Sequence, residues 1–153
     1  MSKGPKVLAI SSSGGHWVQL MRLKPAFDDL DVFYVSLDPS SASDVPDRRY
    51  YTIRNASRKE KWGFAVVLFQ LLRILLKERP QVIITTGSAP AFIALTLGKK
   101  LLGARTIWID SIANVEEVST SGRQARKVAD VWPTQWPHLA EDADGPAFWG
   151  AVL

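Results

Sequence analysis

Val7-Leu8-Ala9-Ile10-Ser11-Ser12-Ser13-Gly14-Gly15-His16 is the stretch from which the fold is read. Four apolar residues run into three serines, two glycines and a histidine. Trp17, Leu20, Leu23 and Phe27 then recur at helical spacing. A strand covered on both faces, a tight turn and a helix start account for that order. Gly14 and Gly15 leave backbone N–H groups open at a helix N-terminus, which suits a phosphate or diphosphate. Two glycines can equally serve only to make the turn tight. His16 follows directly. It can take a proton from a hydroxyl or bond a phosphate, or it can simply cap the turn.

The strand-then-helix rhythm recurs along the chain. Asp31 to Leu37 reads as a second strand, and residues 38–47 as a loop rich in Ser, Pro and Asp. Tyr50 to Arg54 is a short third strand whose polar flanks suit a sheet edge. Lys59 to Arg79 is the longest helix, ended by Pro80. Val82 to Thr86 is a fourth strand, followed by a helix over Ala91 to Leu102 that Gly103 stops. Thr106 to Ile109 is a fifth strand and ends in Asp110-Ser111. A short helix is expected over Gly122 to Ala129 and a last strand over Val131 to Trp136. Pro25 should kink or end the first helix.

Strands alternating with helices predict an α/β fold, a Rossmann-like doubly wound parallel sheet. Ligands bind such sheets beyond the carboxyl ends of the strands, at the switch point. In that order the first and fourth strands flank it, and both end in glycine and hydroxyl groups. Thr86, Gly87 and Ser88 offer hydroxyls and N–H groups there, although Ser88 with Pro90 also reads as a helix cap. Asp110 can orient a sugar hydroxyl or act as a base, or it can cap a helix or pair with an arginine.

The 153 residues predict a single domain over 1–153. A hydrophobic fraction of 46% and a charged fraction of 22% belong to an ordinary globular chain. Without cysteine there is no disulfide framework or thiolate chemistry, and with two histidines no zinc site is expected. Neither G-x-G-x-x-G nor G-x-x-x-x-G-K-[ST] occurs. The net charge of +4 favours anionic partners. Arg54, Arg58, Lys59 and Lys61 crowd the segment before the apolar run from Trp62 to Leu76. That run is interrupted by Gln70 and Arg73 and falls short of the ~20 residues that span a bilayer. Cations beside bulky apolar residues fit a membrane-surface element. A buried or subunit-interface helix fits them as well. Trp132, Trp136 and Trp149 suit either a partner interface or packed core.

Five segments in order resemble one family. They are Ser12-Ser13-Gly14-Gly15-His16, Thr86 to Ala91, Gly103 to Ser111, Ser119 to Arg123 and Ala129 to Pro137. The pattern is similar to the acceptor-side subunit of the two-part UDP-GlcNAc transferase of dolichol-linked oligosaccharide synthesis. It is closer to bacterial exopolysaccharide and capsule relatives called glucuronosyl- or galactosyltransferase subunits. The resemblance covers about Lys6 to Leu153. It implies the N-terminal, acceptor-binding half of an inverting GT-B glycosyltransferase, inactive without a second chain that grips the UDP-sugar.

The implied acceptor is a polyprenyl-diphosphate-linked saccharide at the cytoplasmic face of the cell membrane, with no metal, no cofactor of its own and no nucleic acid partner. The alternative is a non-catalytic subunit that recruits the partner to the membrane. The candidate catalytic residues are His16 and Asp110. The candidate acceptor-binding residues are Ser12, Ser13, Gly14, Gly15, Thr86, Gly87, Ser88, Ser119, Thr120 and Gly122, and the candidate membrane residues are Arg58, Lys59, Lys61 and Trp62. Two departures matter. The eukaryotic subunit has an N-terminal membrane anchor that is not read here, so membrane contact is expected from the Lys59–Arg79 helix or from the partner. Many relatives carry Glu where this chain has Asp110, which puts a catalytic role for that shorter side chain in doubt.

Overall fold

Alternate residues of the first strand face opposite ways, and both sets are buried. In the computed structural model, which describes residues 4–57 and 59–151, β1 (Lys6–Ile10) sends Val7 and Ala9 to one face and Leu8 and Ile10 to the other. Its neighbours are β2 (Asp31–Ser36) and β4 (Val82–Thr85). Beyond them lie β3 (Arg49–Thr52) and β5 (Arg105–Trp108). All pairings are parallel, in the order β3-β2-β1-β4-β5. β3 stands at the edge, as its polar flanks predict.

One face is covered by α1 (Gly15–Arg22). Trp17, Leu20 and Phe27 pack there with Val32, Tyr34 and Ile84. Trp17 also stands edge-on to Tyr34 and Tyr50 and donates its indole N–H to Asp44 at 2.8 Å. That lock fixes the first turn of α1, and with it His16. Pro25 has the expected effect: α1 stops at Arg22 and a 3₁₀ turn takes over from Lys24 to Phe27.

The other face is covered by α2 (Lys61–Glu78) and α3 (Ala89–Leu102). Val67, Leu71, Ile74 and Leu75 of α2 meet Ala91, Ala94 and Leu95 of α3 over Leu8, Ile10, Phe33 and Ile83. Gly98 permits a close approach: a Cβ there would lie 2.1 Å from Ile83 Cδ1. Buried Glu78 ties the end of α2 to the strands through Lys6, Arg49 and the Tyr51 hydroxyl.

The chain beyond β5 departs from the sequence expectation. Helix α4 covers Thr120–Ala125 rather than 122–129, because Ser119 caps it by accepting the Gly122 N–H at 2.9 Å. Residues 131–136 do not form a full sixth strand of the sheet. Val131 makes a single bridge to Ile107, and Pro133, without an N–H, cannot continue the ladder. Instead β6 (Pro133–Thr134) pairs with β7 (Ala147–Phe148) in a separate two-stranded sheet. The loop expected over 38–47 contains a 3₁₀ helix, Pro39–Asp44, capped by Asp38.

Asp130 fastens this last segment to β5. Its carboxylate accepts the Lys99 ammonium at 2.6 Å and the Thr106 N–H at 2.9 Å. The lysine hydrogen bond, then the backbone one, hold the carboxyl below its ordinary value. A depressed carboxyl stabilises the fold above its unfolded value of ~3.9 and loses that contribution as pH falls through the folded value. Asp130→Asn should therefore lower Tm by ~2–4 °C at neutral pH, about 1 kcal/mol for a partly exposed pair. The gap to wild type in a thermal-melt series should close below about pH 4.

Candidate functional site

The C-terminal ends of β1 and β4 lie side by side, with Ile10 opposite Thr85. The chain leaves each strand through a turn of unusual backbone. Gly14 has φ +74° and precedes α1 without any side-chain cap. A Cβ on Gly14 or Gly15 would meet nothing within 4 Å, so the space over the turn is open. The N–H groups of the first turn of α1 therefore face that space without a capping side chain. Ser12 is half-buried, and Ser13 is exposed beside it.

The second turn is stranger. Gly87 has φ +125° and Ser88, an L-residue, has φ +137°. Such a conformation at a non-glycine costs ~1–3 kcal/mol and persists only where the surroundings impose it. Here Ser88 Oγ accepts the Ala91 N–H at 3.2 Å and caps α3, while Gly87 N–H donates to Thr85 Oγ1 at 3.0 Å.

His16 and Thr86 clasp the two turns together. His16 Nδ1 lies 3.0 Å from the Thr86 carbonyl, and Thr86 Oγ1 donates to the His16 carbonyl at 2.6 Å. A carbonyl only accepts, so Nδ1 carries the proton. In the neutral ring Nε2 is then left with its lone pair. The ring lies against Gly87: a Cβ there would come within 2.9 Å of His16 Cε1. Glycine at 87 is thus demanded twice, by its φ and by the imidazole.

Asp110 is placed differently. It is 1% exposed, and both carboxylate oxygens are engaged. Oδ1 accepts from Ser119 Oγ at 2.7 Å and from Trp108 Nε1 at 3.3 Å. Oδ2 accepts from Ser119 N–H and Asn114 Nδ2, both at 3.1 Å. The carboxylate therefore organises the 110–119 loop from within. Ser119 is committed to Asp110 and to the α4 cap. Gly122 is buried against them, a Cβ falling 2.5 Å from Asp110 Oδ1, and Thr120 is exposed. The structure thus brings together Ser12 to His16 with Thr86 to Ser88, and sets Ser119 and Gly122 in a separate internal cluster.

Gln19 and Gln135 were not foreseen. Gln19, buried on α1, donates to Ser111 Oγ at 3.0 Å and accepts from Ile112 N–H and from Gln135 Nε2 at 2.7 Å. Gln135 also donates to the Asp110 carbonyl at 3.0 Å. This buried network links the helix that carries His16 to the loop that Asp110 holds.

The membrane candidates lie at the start of α2. Lys59 and Lys61 are exposed, Trp62 is 84% exposed, and Arg58 lies outside the described residues. Arg54 is paired with Glu60. Trp62, Val66, Phe69 and Leu76 form an exposed apolar stripe along the helix, interrupted by Arg73. The side opposite is the one packed in the core. Among the described residues no helix is long and apolar enough to cross a membrane.

A family profile described as "Oligosaccharide biosynthesis protein Alg14 like" matches residues 48–152. The chain is 26% identical to the UDP-N-acetylglucosamine transferase subunit ALG14 of Yarrowia lipolytica, over 97% of this chain and 82% of the relative. It is 22% identical to that of Mus musculus, over 97% and 83%. Among solved structures, MurG of Acinetobacter baumannii superposes with a TM-score of 0.72 at 14% identity, over 96% of this chain and 46% of that one. A UDP-N-acetylglucosamine 2-epimerase from Rickettsia bellii gives 0.69 at 15%, over 97% and 45%. The chain thus spans just under half of these structures. The likeness shows a Rossmann-like fold equivalent to the N-terminal domain of a GT-B glycosyltransferase.

The clasp makes a direct prediction. Gly87→Ala should force the imidazole off the Thr86 carbonyl, shift the His16 ring ¹H and ¹⁵N resonances and destabilise the fold by ~1–3 kcal/mol. An unchanged His16 spectrum would contradict the arrangement.

Proposed function

The chain belongs to the Alg14-like family of oligosaccharide biosynthesis proteins, and we propose that it is the acceptor-binding subunit of a two-chain inverting glycosyltransferase. On this reading a second chain supplies the other GT-B half and grips the UDP-sugar. The present chain holds a polyprenyl-diphosphate-linked saccharide. The observation that carries the reading is the clasp: two adjoining turns at the switch point, one open and uncapped and one strained, with an imidazole between them. That the relatives it matches are named as subunits of a UDP-N-acetylglucosamine transferase supports a divided site.

The chemistry assigned to each residue follows from its geometry. The uncapped N–H groups after Gly14 bind the acceptor's diphosphate, aided by the positive end of α1. The Ser12, Ser13 and Thr86–Ser88 turns shape the surrounding crevice. The Thr86 carbonyl holds the His16 proton on Nδ1, so Nε2 takes the proton of the attacking hydroxyl as the bond to the donor's anomeric carbon forms. Asp110, with four donors already on its two oxygens, positions the 110–119 loop rather than reaching substrate.

In the pair reconstituted with its donor chain, His16→Ala should lower kcat by ~10²–10⁴-fold with little change in KM for the UDP-sugar. A loss of only a few-fold would remove the base and leave the chain as a non-catalytic recruiting subunit. The isolated chain should show no UDP-sugar binding in calorimetry. Measurable affinity would contradict the divided donor site.

We also propose that α2 rests on the cytoplasmic membrane surface, with Trp62 and Phe69 in the interface and Lys59 and Lys61 on anionic headgroups. Replacing both lysines by glutamine should weaken co-sedimentation with anionic vesicles by on the order of tenfold or more, at ~1 kcal/mol per cation. Trp62→Ala with Phe69→Ala should weaken it on neutral vesicles too. Binding that neither pair alters would place the membrane contact elsewhere.

A further inference from the structure

An apolar groove opens between the three helices of the α2 face. Phe64 of α2, Ala89, Phe92 and Ile93 of α3, and Ser121 and Gln124 of α4 line a cavity of ≈ 370 Å³. No charged side chain lines it, and its volume falls at the lower end of the ~300–1,000 Å³ that ligand pockets span. It is not a packing fault of the core: Phe64 is 48% exposed, and Phe92 and Ile93 are only partly buried.

Its place in the fold suggests its occupant. Ala89 directly follows the strained Ser88, and the Phe92 N–H donates to the Ser88 carbonyl at 3.2 Å. One end of the groove is therefore a single helical turn from the Thr86–Ser88 turn. Its other rim is Phe64, on the same helix as the exposed stripe of Trp62, Val66, Phe69 and Leu76. The groove is an apolar passage between the turn that His16 clasps to the uncapped start of α1 and an exposed apolar helix.

We propose that this groove binds the first isoprene units of the acceptor's prenyl chain, next to its diphosphate. The proposal rests on the acceptor reading above and extends it to the lipid. A molecule with a charged diphosphate and an apolar tail matches the surfaces found together here: open N–H groups on the turn clasped to this one, an uncharged groove, and an exposed apolar helix. A free nucleotide or a soluble sugar does not, because either would set polar groups against Phe64, Phe92 and Ile93 without partners.

The test uses the full chain and three soluble probes: inorganic diphosphate, farnesyl diphosphate below its micellar concentration, and farnesol. Binding is followed by calorimetry. Farnesyl diphosphate should bind at least tenfold tighter than inorganic diphosphate. Gln124→Trp, at an exposed position that fills the groove without touching the core, should abolish that gain and leave inorganic diphosphate unchanged. Ile93→Asn should do the same by placing an amide on the apolar wall.

Equal affinities for the two diphosphates in wild type would overturn the groove while the anion site stands. Farnesol binding that Gln124→Trp removes, with no binding of inorganic diphosphate, would support the groove and overturn the acceptor turn. A farnesyl gain that survives both substitutions would move the chain to another surface. If the two substitutions instead abolish only assembly with the donor chain, the groove is a protein interface and the proposal fails.

Discussion

Two adjacent parallel strands whose helices leave toward opposite faces of the sheet cannot both be covered at their carboxyl ends. β1 and β4 are such a pair. Ile10 and Thr85 are ladder partners, but α1 packs against Val7, Ala9 and Tyr34 on one face, while α3 packs on the Leu8, Ile10 and Ile83 face. The gap between their turns is a consequence of topology, and every proposed site residue of this crevice lies on its two rims. What the sequence adds is the clasp across it. Thr86 and His16 exchange two hydrogen bonds over 70 residues of chain, and glycine at 87 makes room for the ring.

The clasp needs a firm support on the α1 side, and buried polar groups supply it. Trp17 anchors the helix in the apolar layer, and Gln19 anchors it to the Ser111 hydroxyl, the Ile112 N–H and Gln135. A buried carboxamide is stabilising only when its donors and acceptors are matched. Gln19 meets that condition with three partners drawn from two other segments. Asp110 does the same for the neighbouring loop. Both residues act as pins, so the flexible-looking stretch from Ile112 to Ser119 is held by side chains rather than by regular secondary structure.

The parts legible in the sequence were those governed by local rules. The run from Val7 to Ile10 and the glycines after it fix strand, turn and helix through periodicity and backbone freedom alone, and Pro25 and Gly103 mark helix ends for the same reason. The crevice residues at 12–16 and 86–88 were legible because topology predicts which strand ends meet. Gln19 was not, since a glutamine in an amphipathic helix carries no sign of burial, and its partners lie 92 to 116 residues away. Asp110 could be read as a base or a cap. Its donors at Asn114 and Ser119 depend on a loop path that composition does not specify. The 131–136 segment looked like a strand by its apolar pattern, but one missing N–H at Pro133 diverted it into a second sheet.

The long helix poses the remaining physical question. Its core face is complete with Val67, Leu71, Ile74 and Leu75, and Gly63 lets its first turn settle against Ala56 and Glu60. Nothing in the fold requires Trp62, Val66, Phe69 and Leu76 on the opposite side to be apolar, and polar residues there would serve solubility better. A contiguous apolar stripe on a monomer's surface marks a place of association. The single cation within it, Arg73, has a stem long enough to reach a polar boundary while its methylenes stay in the apolar layer. On the membrane reading proposed for α2, that combination fits an interface between water and lipid, whereas a dry protein contact would need a partner for the guanidinium.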